Sequence, residues 1–343
     1  MKISFNLKPQ SGPFGGGNSF LANIIDALQS YGFKVEFDLD NPDIDFIFLI
    51  DPRWRHPLMQ YNIGEISRYI LRNPDSLVIH RINECDERKN TNVMNKKINQ
   101  SNYLADCTIF VSNWLRDLNF LSRENERRKF DKVIRNGSDT RVFFSDPDNY
   151  WRGKSPLKLV THHWSANPMK GFDLYKHIDD LLGKENLKEK IEFTYIGNVH
   201  PDYNFVNTKV ISPLSGEELA QELRRHHVYV TGSLNEPGGN HQNEGALSGL
   251  PLIYIDSGSM KEYCEGFGIE LKNALEFESA LQEMLVRYRV FKDKINSYPN
   301  TAEKMTTQYI QLLNLLELHR PELVESRKLF RSPKSLLRLQ FPI

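Results

Sequence analysis

Short apolar runs alternate with segments of helical spacing along the whole chain. The run "KISFNL" (2–7) predicts a strand, followed by a glycine loop, "GPFGGGNS" (12–19). In the next segment Leu21, Ile24, Ile25 and Leu28 fall at i, i+3, i+4 and i+7, which predicts a helix ending at Gly32. Strands are predicted at 34–39, 45–51, 77–83, 107–112 and 131–137, with helices near 62–72, 91–104 and 113–121. Residues 139–156 are rich in turn formers and lack periodicity, so they read as a linker. The alternation then restarts, with strands at 157–163, 191–198, 209–214, 227–233 and 251–256, and helices at 171–182, 215–226 and 241–249. From about 275 to 320 the pattern is helical. β-Branched and aromatic runs separated by helices argue for βα units and parallel sheets. The expected fold is α/β, with two Rossmann-like, doubly wound parallel-sheet domains facing a cleft. The predicted boundaries are 1–145 and 146–305, with a tail, 306–343, packing back on the first domain.

Composition narrows the function. Lys and Arg number 44 and Asp and Glu 44, so no global field favours nucleic acid. The three cysteines, Cys85, Cys107 and Cys264, have no pairing rhythm and no zinc spacing. No apolar run approaches the ~20 residues needed to cross a bilayer. These features lead to the expectation of a reducing, cytoplasmic protein. "DIDF" (43–46) has a metal-like spelling, but Asp45 is expected to begin a strand, and no metal site is predicted.

Ligands of doubly wound sheets bind beyond the carboxyl ends of strands, which directs attention to "NEPGGNHQNEGALSGLP" (235–251). Glu236 stands before a Pro-Gly-Gly turn, and Glu244 lies in the first turns of a helix starting near Asn240. Glycines admit close backbone approach, and a helix start offers amide donors, so a diphosphate suits the turn. From the helix, Glu244 can accept hydrogen bonds from vicinal hydroxyls such as those of a ribose. Glu236 can reach hydroxyls of a sugar on the distal phosphate. The bland alternative is a plain turn followed by an ordinary acidic residue. A Rossmann oxidoreductase would want G-x-G-x-x-G after the first strand, and "GPFGGGNS" lacks that spacing.

The Glu236-x7-Glu244 pattern, with "GALSGLPLIYID" behind it, resembles the signature of retaining GT-B glycosyltransferases, specifically glycosyltransferase family 4. Three further stretches resemble that family in the right order: "GGGNSFLANIIDALQSYGFKV" (15–35), "IRNGSDTRVFF" (134–144) and "LKLVTHHWSANPMKGFDLY" (157–175). The resemblance implies a nucleotide-diphosphate-sugar substrate, a glycan, lipid-linked or small-molecule acceptor, retention of anomeric configuration and no required cofactor or metal. Carried over, Glu244 would bind ribose, and Glu236 would contact the donor sugar. Gly238, Gly239 and Asn240 would supply amides, Lys170 would neutralise diphosphate, and Gly16 and Gly17 would border the phosphates. His80 would lie against the donor sugar. The family usually carries Gly-Arg ahead of the Lys-Gly, and here Trp164-Ser165 stands there. Arg81, Arg53 or His163 are the candidates to compensate for the cation missing at Ser165. That departure keeps open an alternative, a catalytically inactive GT-B protein that binds a nucleotide or glycan.

Other features have two readings each. His162 and His163 are a strand-end pair or phosphate or acceptor contacts, and Trp54 is a platform for an acceptor sugar or core. The charge run at 122–132 reads as a solvated loop. The tail, "RKLFRSPKSLLRLQFPI" (327–343), mixes cations with Leu and Phe. Packing on the first domain is the favoured reading, and peripheral contact with the inner face of a membrane is the alternative.

Overall fold

The computed structural model describes residues 1–10, 12, 15–122, 129–327 and 329–341, so residues 123–128 of the charge run and Lys328 of the tail lie outside the described residues. The chain divides into two compact units. Unit 1 comprises Met1–Gln10, Leu21–Arg135 and Met305–Ile343, and unit 2 comprises Ser11–Phe20 and Asn136–Lys304.

In unit 1 the strands are β1 (Lys2–Phe5), β2 (Lys34–Glu36), β3 (Phe46–Leu49), β4 (Leu77–Ile82), β5 (Cys107–Phe110) and β6 (Lys132–Val133). They form one parallel sheet in the order β2-β1-β3-β4-β5-β6. Every residue of β3, β4 and β5 is buried, as expected of strands covered on both faces. The helices of this part are α1 (Gly16–Ser30), α2 (Ile63–Arg72), α3 (Asp86–Lys89), α4 (Met94–Asn102) and α5 (Asn113–Asp117). Asn62 and Glu65 cap α2 reciprocally, each side chain satisfying an amide that the first turn leaves open. Asp45, whose spelling suggested a metal ligand, instead accepts from the Lys2 amide and pairs with Arg320.

Unit 2 has β7 (Leu157–His163), β8 (Ile191–Gly197), β9 (Lys209–Ile211), β10 (Val228–Thr231), β11 (Leu252–Ile255) and β12 (Gly268–Leu271). They too form a wholly parallel sheet, in the order β12-β11-β10-β7-β8-β9. The helices are α6 (Phe172–Leu182), α7 (Glu185–Lys188), α8 (Gly216–Leu223), α9 (His241–Leu247), α10 (Met260–Cys264) and α11 (Phe277–Ile295). Alternate strand residues feed opposite faces: Leu159, Val228, Val230, Ile253 and Ile255 pack under α6 and α11, while Val160, Tyr229, Leu252 and Tyr254 pack under α8, α9 and α10. The strand order reverses between β7 and β10, which are adjacent but separated in sequence by β8, β9 and α8. In open α/β sheets that reversal leaves a crevice outside the strand ends.

Besides the short helices α3, α7 and α10, the last strand and the C-terminal helices depart from the sequence pattern. β12 was unread because it offers only Ile269 and Leu271 between turn residues; pairing to β11 makes it a strand. The helical stretch from 275 to 320 breaks at 296–301, where Pro299 cannot continue a helix, and resumes as α12 (Ala302–Leu318). Beyond it, α13 (Arg320–Ser326) and α14 (Pro333–Arg338) bring the tail onto unit 1. Leu339 is buried in the cluster that contains Ile63, Ile66 and Ile70 of α2, with Leu329 and Leu336 packed against it. Arg327 grips Asp106 through two nitrogens, at 2.9 and 2.6 Å, and donates to the carbonyls of Pro74 and Ser76.

His226 and His227 close the turn into β10. His226 Nδ1 lies 2.8 Å from the Glu222 carbonyl and Nε2 3.0 Å from the Thr194 hydroxyl, while His227 Nδ1 accepts from the Lys158 amide at 2.9 Å. Burial pushes both imidazoles down to about 4 from the ordinary 6.5. The folded state therefore favours the neutral rings. Their contribution is complete above pH 6.5 and is lost as pH falls from 6.5 towards 4. The expected outcome is a urea midpoint that declines through this window, the His226 component alone amounting to about 1.4 kcal/mol per pH unit. His226→Gln should flatten that decline; an unchanged slope would show that His226 is not its source.

Candidate active site

The loops that follow β7 and β10 meet at the strand-order reversal of unit 2. After β7, Asn167 caps a 3-10 turn (Pro168–Lys170) that ends at Gly171, which is left-handed at φ 92°. After β10 the chain passes through Gly232 and Ser233. A Cβ on Gly171 would stand 2.2 Å from the carbonyl carbon and oxygen of Gly232, so only glycine allows the two backbones this approach. Leu234 N donates to Met169 O at 2.8 Å, and Gly232 N donates to the buried Tyr175 hydroxyl at 3.1 Å. That hydroxyl lies 2.6 Å from His163 Nε2. The Thr161 hydroxyl lies 3.2 Å from the same oxygen, so Tyr175 gathers three polar neighbours.

This join sets Lys170 beside Glu236, with Nζ 3.5 Å from Oε2. Ser233 Oγ donates to the same carboxylate at 2.8 Å. The backbone of Glu236 is strapped independently: its carbonyl accepts from Ser259 N and Ser259 Oγ, both at 2.8 Å, and it bridges to Gly258. Asn235, just before it, adopts a left-handed φ of 46°, which an Asn tolerates better than most residues. The strand predicted at 227–233 is β10, which ends at Thr231, so Glu236 stands five residues beyond the sheet.

Gly238 and Gly239 follow, with Asn136 Nδ2 donating to the Gly238 carbonyl. Asn240 is the N-cap position of α9, and its Nδ2 lies 3.2 Å from the Gly16 carbonyl, bringing those two candidates together. A Cβ on Gly17 would meet nothing within 4 Å. The Asn240 Oδ1 and Gln242 Oε1 acceptors are buried with no hydrogen-bond partner among the described residues.

Glu244, on α9, is buried and meets His162 of β7, Nε2 to Oε2 at 2.7 Å. A carboxylate only accepts, so Nε2 donates to it, and Nδ1 on the other edge of the ring lies 3.1 Å from the Tyr229 hydroxyl. Tyr229 is fully buried, which pushes its phenol well above the usual range. His163 and His241 rings lie 4.8 Å apart, and His241 Nε2 lies 2.9 Å from Thr231 Oγ1. The three imidazoles, His162, His163 and His241, are thus all held from strand ends. Sequence reasoning passed over Tyr229, Ser233, Tyr175 and His241. Tyr229 carried a core signal by strand alternation; the hydroxyl-rich "TGS" at 231–233 was the available hint for Ser233.

Ser165 lies in the loop after β7, where its Oγ accepts from Asn167 N at 3.2 Å. The remaining candidates belong to unit 1. His80, on β4, is buried with Nδ1 3.2 Å from Asn102 Nδ2, and Asn102 also donates to Thr108. Arg81, next along the strand, is buried near Tyr309, and its charge pulls that phenol down against the larger upward push of burial. Arg53 is taken up by Asp51. Trp54 packs against the cluster beneath α2. Among the described residues no group of His, Cys, Asp and Glu could hold a metal ion.

The two six-stranded parallel sheets with flanking helices are the GT-B glycosyltransferase architecture. No protein-family model and no curated protein matches the sequence. Solved structures match it in fold. Sucrose-phosphate synthase from Thermosynechococcus elongatus matches with TM-score 0.63 and 13% identity over 95% of this chain and 100% of that one. HepE from Anabaena, solved in complex with UDP, matches with TM-score 0.67 and 14% identity over 92% of this chain and 100% of its own. A glycosyltransferase from Rickettsia africae matches with TM-score 0.62 and 12% identity over 92% and 98%.

The glycine join yields a stability test. Gly171→Ala should lower unfolding stability by about 3 kcal/mol or more, combining a left-handed penalty with the backbone clash. The urea midpoint reads this directly. A fall below about 1 kcal/mol would show that the two loops separate at little cost.

Proposed function

We propose that the chain is a retaining, metal-independent glycosyltransferase that moves a sugar from a nucleotide-diphosphate donor to a glycan, lipid-linked or small-molecule acceptor. One observation carries this reading: the Glu236 and Glu244 carboxylates are buried at the strand-order reversal of unit 2, with Lys170 3.5 Å from the first. Both are placed to accept from ligand hydroxyls.

In this reading Glu244 takes the ribose hydroxyls. Its Oε2 already accepts from His162, which orients the carboxylate and leaves Oε1 for the ligand. Glu236 takes hydroxyls of the donor sugar. Lys170 lies where charge develops on the departing diphosphate, and a preorganised cation stabilises that charge as the glycosidic bond breaks. The Gly238–Asn240 segment borders the phosphates, and the unpartnered Asn240 Oδ1 and Gln242 Oε1 accept from further ligand hydroxyls. Retention rests on the likeness of the Glu236-x7-Glu244 spacing to family 4. UDP is the first nucleotide to test because HepE, a fold neighbour, was solved with UDP and with UDP-glucose.

A second reading, a nucleotide- or glycan-binding protein without transferase activity, is favoured by Ser165. The loop uses that side chain to cap its own turn, so it supplies no cation.

Calorimetric titration against UDP-, GDP-, ADP- and CDP-sugars tests the site. One nucleotide class should bind, and Glu244→Ala should weaken it about 10- to 100-fold, the loss of hydrogen bonds to a charged group. Absence of binding across the panel by folded protein would overturn the proposal. Lys170→Ala should lower donor hydrolysis more than nucleotide affinity; binding without any hydrolysis or transfer selects the second reading.

A further inference from the structure

The C-terminal tail has two faces of unlike chemistry. Leu329, Leu336 and Leu339 turn inward onto unit 1. Phe330, Leu337 and Phe341 turn outward and are 69%, 63% and 59% exposed. Arg331, Lys334 and Arg338 are exposed among them. The described core cluster beneath α2 takes in Leu329, Leu336 and Leu339 and does not take in the three outward apolar groups.

The same surface extends onto α2 and α4. Gln340 joins the tail to α2, accepting from Arg68 at 2.7 Å and donating to Ser67 at 2.7 Å. Leu71, 48% exposed, and the exposed Arg72 stand one turn further along that helix. Gln100 of α4 donates to the carbonyls of Arg338 and Phe341, and Lys96 and Lys97 precede it by one turn. Among the described residues no carboxylate pairs with Arg72, Lys96, Lys97, Lys334 or Arg338. Elsewhere on the same tail, Arg320 and Arg327 are both ion-paired. Unpaired cations gathered round exposed Phe and Leu match the two parts of an anionic bilayer surface: charge at the headgroups, hydrocarbon just beneath.

We propose that this face of unit 1, built from the tail with the ends of α2 and α4, docks on an anionic lipid bilayer. Phe330, Leu337 and Phe341 enter the acyl boundary, and Lys334, Arg338 and Arg72 lie among the headgroups. No described helix is long and apolar enough to cross a membrane, so contact is by this surface. A nucleic acid would satisfy the cations but not three exposed apolar side chains.

The test is co-sedimentation of the full chain with vesicles of phosphatidylcholine containing about one-third phosphatidylglycerol, against phosphatidylcholine alone. Binding is expected only with the anionic vesicles, weakening as salt rises. Each cation is worth about fivefold, so Lys334→Gln with Arg338→Gln should lower partitioning about 30-fold. Leu337→Ser with Phe341→Ser should lower it at least about tenfold with an unchanged unfolding midpoint, since both side chains are largely exposed. No binding by folded protein, equal binding to neutral vesicles, or binding indifferent to both pairs of substitutions would overturn the proposal. So would a duplex DNA that binds through the same cations while vesicles do not, or a dimer that Leu337→Ser dissolves.

Discussion

The contact of Gly171 with Gly232 is the constraint on which the candidate site rests. Lys170 and Glu236 come from loops more than sixty residues apart, after β7 and β10. Their ion pair cannot set the geometry, because a partly exposed Lys–Glu pair contributes about 1 kcal/mol or less. The backbone does so instead. Two glycines at van der Waals limit, the Leu234–Met169 hydrogen bond and the buried Tyr175 hydroxyl make the two loops one body. Lys170 is one residue from that join and Ser233 is one residue from its other side. The side chains inherit their positions from the fold.

The second carboxylate is held by a different principle. Glu244 is held by a chain of hydrogen bonds that runs from Tyr229 through His162 to it. The two glutamates thus share a loop but not a partner: Glu236 stands beside Lys170, and Glu244 against the His162 imidazole.

Much of this was legible, and the gaps have physical causes. Fully buried strands announce themselves as continuous apolar runs, and the alternating sites of "LKLVTHH" and "HVYVTGS" gave both faces of unit 2. The Glu236-x7-Glu244 spacing was readable because glycines and carboxylates have no reason to sit in a core. His162 was ambiguous because its partner, Tyr229, obeys strand alternation as any core aromatic does; only its hydroxyl matters, and pattern is blind to that. Arg81 was read as an available cation because strand-end arginines usually extend to water. Its guanidinium instead meets Tyr309, a residue on a helix more than two hundred positions away. Contacts at that separation leave no local trace. β12 failed for the opposite reason, being too short to have a pattern until β11 gives it one.

The tail shows how far charge balance conceals organisation. With 44 cations against 44 anions, the composition carries no signal. Within twenty residues, however, the arginines divide into two populations. Arg320 and Arg327 reach inward and are matched to Asp45 and Asp106, one of them through a bidentate grip on a buried carboxylate. They tie the tail to unit 1, since breaking such a buried pair leaves an uncompensated charge. Lys334 and Arg338 stand on a helix already anchored by Leu336 and Leu339, so folding does not require them to be charged. Placed between exposed Phe330 and Phe341, they pair with no acid among the described residues. A surface that serves solubility alone separates its apolar residues with both signs of charge. This one keeps a single sign and leaves the apolar side chains uncovered, which is the composition of a surface that meets another phase.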